Sequence, residues 1–203
     1  MAWAAVSTRM RAVQRIGIFG GSFDPVHLGH LLVAQAAFEE LGLERLFFVP
    51  AAQSPFKQDL VPAPGPVRAQ LLRLALAGRT WCEVDEQEIR RTGVSYTVDT
   101  LHAYSKQFPG TELFYLIGAD NVAALPQWRA AGELARLAEF VVIPRPGDAT
   151  VPLPAPFRGR MLRGWPLGVS SSEIRARVKA GKAIAHLVPA AVAEAIHNNQ
   201  LYL

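Results

Sequence analysis

The sequence predicts one α/β domain in which helices cover both faces of a doubly wound, parallel, Rossmann-like sheet. Its 203 residues and 22.1 kDa suit a single domain of ordinary size. Half of the residues are hydrophobic and 19% are charged, which excludes a disordered or fibrous chain. Short apolar runs alternate with helical patterns along the chain, and this alternation is typical of βαβ units.

The elements follow from the hydrophobic pattern. The apolar run 15–19 predicts the first strand, which ends at the Gly20-Gly21 turn, and the helix 30–41 follows with Gly42 as its C-cap. The remaining strands are predicted at 46–49, 81–84, 113–117 and 140–143, and the remaining helices at 68–77, 98–108, 170–180 and 190–198. The proline-rich segments 50–66 and 144–166 predict long irregular loops of the kind that bind ligands.

Charge and cysteine content narrow the class of protein. Lys and Arg number 21 against 17 Asp and Glu, and the pI near 9.6 suits an anionic nucleotide ligand as well as nucleic acid. The lone cysteine, Cys82, has no partner for an internal disulfide, and no apolar run is long enough for a membrane helix. We therefore expect a cytoplasmic protein that does not enter a membrane. We expect residues 1–14 to be a leader before a domain at 15–203, with Met10 as an alternative start of the natural protein.

The most informative stretch is GIFGGSFDPVHLGH at residues 17–30. A strand runs into a glycine turn, after which His27, Gly29 and His30 open a helix. Glycines let the backbone approach a phosphate, and a helix N-terminus offers N–H donors and partial positive charge. The stretch is neither a GxGxxG dinucleotide fingerprint nor a P-loop. It predicts an anion site at the carboxyl edge of the sheet.

A second stretch points to the same chemistry. Ser170, Ser171 and Ser172 precede a helix whose first turn carries Arg175, a forked donor suited to phosphate. By themselves these residues indicate an ordinary capped helix. Together with the histidine helix start they predict a second clamp on the same anion. Arg68, which begins another predicted helix, either binds substrate or balances charge.

Residues 17–30 resemble the GxFDPxHxGH signature of the nucleotidyltransferases that share the HxGH motif, and within them the bacterial nicotinate-mononucleotide adenylyltransferases. The resemblance runs from about Ile16 to the end of the sequence. Further matching blocks are VSYTVDTL at 94–101, LIGAD at 116–120 with Trp128, RPG at 145–147 and VSSSEIR at 169–175. This chain has Phe56 before Lys57, where the family usually has a histidine, so a role for that histidine does not carry over.

The resemblance implies a nucleotidyltransferase domain that joins ATP to nicotinate mononucleotide, with Mg²⁺ carried by the ATP phosphates and no dedicated metal site on the protein. It implies that the catalytic residues are His27, His30, Lys57 and Arg175. It implies that ATP is bound by Gly20, Gly21, Ser22, Phe23, His27, Gly29, His30, Gly118, Asp120, Ser170, Ser171, Ser172 and Arg175. It implies that the acceptor is bound by Lys57, Tyr96, Thr97, Trp128 and Arg145.

In the implied reaction, the acceptor phosphate attacks the α-phosphorus of ATP. A phosphate monoester is already anionic at neutral pH, so no general base is needed. Three alternatives stay open: nicotinamide mononucleotide as acceptor, phosphopantetheine as acceptor, and a basic nucleotide- or RNA-binding module without catalysis. We expect small-molecule partners and no nucleic acid. The basic helices near the end of the sequence suit a dimer face in a homo-oligomer as well as a substrate contact.

Overall fold

A computed structural model describes residues 14–53, 62–91, 93–144 and 152–203. The described elements, in chain order, are β1 (Arg15–Gly21), α1 (Leu28–Leu41), β2 (Arg45–Pro50), α2 (Gly65–Leu76), β3 (Cys82–Val84), α3 (Gln87–Arg91), α4 (Thr97–Gln107), β4 (Glu112–Gly118), α5 (Ala119–Val122), a 3₁₀ helix (Leu125–Gln127), α6 (Ala131–Leu137), β5 (Glu139–Ile143), β6 (Gly159–Met161), α7 (Ser171–Lys179) and α8 (Ala190–Asn198).

Within the described residues, six strands form one parallel sheet in the order β3-β2-β1-β4-β5-β6. The chain builds outward from β1 to β3, then returns to place β4 on the other side of β1. Such a reversal leaves a crevice at the carboxyl ends of the two central strands, where ligands of open α/β sheets bind. The predicted doubly wound α/β architecture is confirmed.

Side chains on each strand alternate between two apolar layers. In β4, Leu113, Tyr115 and Ile117 enter one layer, and Phe114 and Leu116 enter the other. Helices α1, α2, α7 and α8 pack on the Phe114 side, and α4, α5 and α6 on the Tyr115 side. No helix in the described ranges is long and apolar enough to cross a membrane.

Two features differ from the predicted elements. The expectation of an irregular loop at 144–166 is wrong for β6, which pairs with β5. A Cβ at Gly159 would overlap the Phe140 carbonyl oxygen, so glycine allows this close approach. The short helices α3, α5 and α6 were not predicted, because four to seven residues show no clear 3.6-residue period. Helix α2 begins earlier than expected, at Gly65, with Pro66 in its first turn.

The loop between β1 and α1 is anchored from α2 by Arg68, whose residue surface is 1% exposed. Its Nε donates to the Ala63 carbonyl at 2.8 Å, Nη1 to the Ser22 carbonyl at 2.6 Å and Nη2 to the Ala51 carbonyl at 2.7 Å. One guanidinium thus satisfies three backbone acceptors from three segments. This role of Arg68 is structural, and the charge-balancing alternative holds beside it, because burial lowers the pKa of the guanidinium and the nearby Asp24 carboxylate acts to raise it.

Replacing Arg68 by methionine should lower the free energy of unfolding by about 3 kcal/mol or more, because it leaves three partly buried carbonyl groups without their charged donor. Urea unfolding monitored by circular dichroism measures the loss. Arg73→Met on the same helix is the matched control. Arg73 is exposed and pairs with Glu86 at the surface, so its removal should cost less than about 1 kcal/mol. Equal losses in the two variants would contradict the anchoring role.

Candidate active site

Two cavities lie at the carboxyl ends of β1 and β4 and share part of their walls. The larger, of about 700 Å³, is lined by His27, His30 and Arg175 among others and is called the histidine cavity. The smaller, of about 460 Å³, is lined by Trp128 and is called the tryptophan cavity. Both are lined by Gly21, Ser22 and Asn121. Molecules bound in the two cavities would therefore meet at the end of β1.

The two histidines form a stacked pair at the start of α1. His27 is the N-cap, and its backbone N–H donates to His30 Nδ1 at 3.2 Å. The ring centroids are 3.7 Å apart with planes at 27°. Because Nδ1 of His30 accepts a hydrogen bond, the neutral ring carries its hydrogen on Nε2. His30 can therefore donate that hydrogen to a ligand in the histidine cavity.

Burial keeps both imidazoles uncharged at neutral pH. It lowers the pKa of His27 to about 4. The pKa of His30 is also lowered well below its usual value, first by burial and then by His27 beside it. At neutral pH the two uncharged rings can therefore offer hydrogen bonds to an anion. Positive charge in the histidine cavity has to come from other residues.

Gly29, between the histidines in sequence, is needed for close packing. A Cβ at this position would lie 3.0 Å from His27 Nδ1 and 3.1 Å from a methyl group of Val169. Any side chain would push the His27 ring or the segment before α7. The glycine thus lets α1 begin against the wall of the histidine cavity.

Helix α7 supplies the opposite wall of the histidine cavity. Ser170 caps the helix, since its Oγ accepts from the Glu173 N–H at 3.1 Å, as the sequence predicts. Ser171 Oγ donates to the Pro25 carbonyl at 2.8 Å, which ties α7 to the loop after β1. Arg175 Nη1 donates to the Asp24 carbonyl at 2.7 Å, so its guanidinium is held at this wall.

The tryptophan cavity is built around the start of α4, where Tyr96 is the N-cap and Thr97 the first helical residue. The first amide groups of a helix lack partners within it, and they favour an anion. The Arg129 guanidinium lies 4.6 Å from the centroid of the Tyr96 ring. Trp128 meets the Tyr115 ring edge-on, with centroids 6.2 Å apart. Flat aromatic walls and helix amides together suit an acidic heteroaromatic ring.

Tyr115 and Glu88 also line this cavity, and neither was predicted from the sequence as a site residue. Tyr115 lies on β4 with its hydroxyl 3.3 Å from Thr97 Oγ1. The sequence signal for Tyr115 was its position among the alternating buried residues of a predicted strand. Glu88 lies on α3, is buried, and accepts from Thr100 Oγ1 at 2.5 Å. Burial raises the pKa of Glu88. No sequence pattern distinguishes this carboxylate from a surface one.

The structure brings most predicted site residues into these two cavities. The predicted residues that line the histidine cavity are Gly21, Ser22, Phe23, His27, Gly29, His30, Gly118, Asp120, Ser170, Ser171, Ser172 and Arg175. Those that line the tryptophan cavity are Gly20, Gly21, Ser22, Tyr96, Thr97 and Trp128. Lys57 and Arg145 lie outside the described residues. Arg68 lines neither cavity.

Residues 18–177 match the cytidylyltransferase-like family, and the chain belongs to that family. A solved structure of similar fold is the Plasmodium falciparum nicotinic acid mononucleotide adenylyltransferase complexed with NaAD. It has a TM-score of 0.76 at 18% identity, over 93% of this chain and 97% of that one.

Sequence relatives place the chain more narrowly. A probable nicotinate-nucleotide adenylyltransferase from Opitutus terrae is 42% identical over 191 residues, which cover 93% of this chain and 97% of the relative. Another from Dehalococcoides mccartyi is 38% identical over 197 residues, with 93% and 97% covered. Within its family, the chain belongs with the nicotinate-nucleotide adenylyltransferases, which are nucleotidyltransferase enzymes.

The lowered histidine pKa values predict an acid-sensitive stability. In the unfolded chain, His27 takes up a proton near the usual pKa of 6.5, whereas in the folded protein burial lowers this pKa to about 4. The stabilisation is therefore fully present above the unfolded pKa and is lost as the pH falls toward the folded pKa. His27 should contribute a loss of about 2 kcal/mol between about pH 7 and about pH 5.

Nitrogen-15 NMR of the imidazoles measures this directly: the His27 ring should stay neutral until the pH approaches 4. A His27→Asn variant assigns the signal and should show a weaker pH dependence of unfolding. Protonation of the folded His27 ring near its usual pKa, or parallel stability curves for both proteins, would contradict the buried neutral pair.

Proposed function

We propose that the protein transfers the adenylyl group of ATP to nicotinate mononucleotide, giving nicotinate adenine dinucleotide (deamido-NAD) and pyrophosphate in NAD biosynthesis. The observation that carries this proposal is the shared wall of the two cavities at Gly21 and Ser22. Family membership supports it. The unit that does this is the domain at 15–203. We place the reaction in the cytoplasm, where a lone thiol such as Cys82 stays reduced.

ATP belongs in the histidine cavity. Its polyphosphate would lie between the start of α1 and the start of α7, two helix N-termini that favour anions. Arg175 supplies positive charge and His30 Nε2–H a hydrogen bond from the opposite side. Gly118 ends β4 and Asp120 follows it at the edge of the same cavity, where a carboxylate can accept from a ribose hydroxyl.

Nicotinate mononucleotide belongs in the tryptophan cavity. Its pyridine ring would lie against Trp128 and Tyr96, and its carboxylate near the first amides of α4 and the hydroxyl of Thr97. Its phosphate would then reach the end of β1, beside Gly21. A neutral carboxamide gains less from a helix N-terminus than a carboxylate does, so this arrangement favours the acid over nicotinamide mononucleotide.

The transfer forms one bond and breaks one. A phosphate oxygen of the acceptor attacks the α-phosphorus, while the bond from that phosphorus to the oxygen bridging to the β-phosphate breaks. Pyrophosphate leaves with the electron pair. The protein has to hold two anions in line and stabilise the charge on the α-phosphate oxygens, which is catalysis by positioning and electrostatics. His27 orients His30 through its backbone N–H.

Magnesium enters this scheme as part of the substrate, bound to the ATP phosphates and to water. In the part of the chain that the structure describes, no three His, Cys, Asp or Glu side chains come together as a metal site. Lys57 and Arg145 complete the proposal as cations for the phosphates and the acceptor. Their assignment depends on the sequence resemblance.

Pyrophosphate release should be fast with ATP, Mg²⁺ and nicotinate mononucleotide, and much slower with nicotinamide mononucleotide or phosphopantetheine. Parallel assays with the three acceptors measure this preference. A stronger reaction with either of the other acceptors would keep adenylyl transfer and overturn the acceptor assignment. No pyrophosphate release with any of the three acceptors, together with steeply salt-dependent nucleic-acid binding, would favour the non-catalytic nucleotide- or RNA-binding module instead.

A further inference from the structure

Asp24 is a buried carboxylate at which three segments of the chain meet. It is 6% exposed and lines the histidine cavity. Its Oδ1 accepts from the Tyr202 hydroxyl at 2.8 Å and from the Ala63 N–H at 3.2 Å. Its Oδ2 lies 3.7 Å from Arg175 Nη1. Tyr202 follows α8, Ala63 precedes α2 and Arg175 belongs to α7, so the carboxylate joins these segments to the loop after β1.

The hydrogen bonds that hold the Arg175 guanidinium in this arrangement do not use all of its N–H groups. Nη1 donates to the Asp24 carbonyl at 2.7 Å, and Nη2 donates to Ser172 Oγ at 3.2 Å. A guanidinium carries more N–H groups than these two bonds need. The remaining N–H groups are available to a phosphate, provided that the Asp24 carboxylate does not draw the guanidinium toward itself.

The backbone on both sides of the Tyr202–Asp24 bond is strained. Tyr202 has φ of 67°, and Phe23, next to Asp24, has φ of 48°. Bulky residues rarely adopt the left-handed region, and such a conformation persists only where the surrounding structure over-determines it. The Tyr202 ring packs against the apolar layer of α1, α2, α7 and α8. The fold thus holds two aromatic residues in unfavourable conformations around one hydrogen bond.

Tyr202 donates this hydrogen bond throughout the neutral pH range. Burial, and then the neighbouring Asp24 charge, raise the pKa of the phenol well above its usual value. The hydroxyl therefore stays protonated and keeps Oδ1 of Asp24 satisfied. With this donor removed, the buried carboxylate would take N–H groups from a cation that can move toward it. Arg175 Nη1 already lies 3.7 Å from Oδ2, whereas Arg68, whose charge also acts on Asp24, is held by three backbone carbonyls.

We propose that Tyr202 is a positioning residue for ATP binding: by satisfying Asp24, it leaves the Arg175 guanidinium free to meet the ATP phosphates. The inference deepens the proposed function and rests on its assignment of Arg175 to ATP. It gives a specific role to a residue that touches neither substrate and lies 178 positions from its partner in sequence.

The test is ATP affinity measured by calorimetry without an acceptor, together with steady-state kinetics. Tyr202→Phe keeps the packed ring and removes only the hydroxyl. It should raise the Kd and KM for ATP by about tenfold, the effect of losing a hydrogen bond to a charged group. The KM for nicotinate mononucleotide should stay within about twofold, because the tryptophan cavity lies beyond Gly21 and Ser22.

Tyr104→Phe is the matched control. The Tyr104 hydroxyl donates to Asp85 Oδ2 at 2.7 Å, a bond of the same kind on the opposite face of the sheet. Its loss should lower the melting temperature while ATP affinity stays unchanged. A merely structural role for Tyr202 would make the two variants alike in both measurements, and this would overturn the proposal.

A double-mutant cycle shows whether Tyr202 acts through Arg175. In an Arg175→Ala background, Tyr202→Phe should have no further effect on the Kd for ATP. A full tenfold effect in that background would overturn the inference. A wild-type protein that binds ATP but releases no pyrophosphate with nicotinate mononucleotide would count against the proposed function, whereas an ATP affinity unchanged by Tyr202→Phe would count against the positioning role.

Discussion

The site depends on how the loop between β1 and α1 is held. This loop ends at His27, beside His30 in the first turn of α1, and it lines both cavities, yet it contains little regular structure of its own. The buried Arg68 guanidinium fixes it from one side through the Ser22 carbonyl. The buried Asp24 carboxylate ties it to α7 and to the segment after α8. Opposite buried charges, each satisfied mainly by hydrogen bonds, thus hold the wall that the two cavities share.

Neutral groups and charged groups make different contributions to the electrostatics of the site. Burial keeps His27 and His30 neutral, so they contribute directed hydrogen bonds at fixed positions. Positive charge comes from Arg175, which is partly exposed and can adjust to a polyphosphate, and from the N-termini of α1 and α7. Preorganised donors beside an adjustable cation suit a reaction in which charge moves between two anions. The proposed reaction needs no general base, because the acceptor phosphate is already anionic at neutral pH.

Local patterns predicted much of this from the sequence. Strand alternation and glycine turns placed the sheet, and the His27-Leu-Gly-His30 and Ser170–Ser172 stretches marked two helix starts that the fold brings to one cavity. The contacts that could not be predicted from the sequence join residues far apart in the chain. Tyr202, which donates to Asp24, lies 178 positions from it, and Arg68 donates to backbone carbonyls from three segments. Nothing near Tyr202 or Arg68 in sequence distinguishes them from ordinary surface residues.

A crystal structure with nicotinate adenine dinucleotide bound would show whether the two cavities hold the two halves of one dinucleotide. Adenosine should lie in the histidine cavity, the pyridine ring against Trp128, and the linking phosphates beside Gly21 and Ser22. A dinucleotide held entirely within the histidine cavity, with the tryptophan cavity unchanged, would contradict this arrangement.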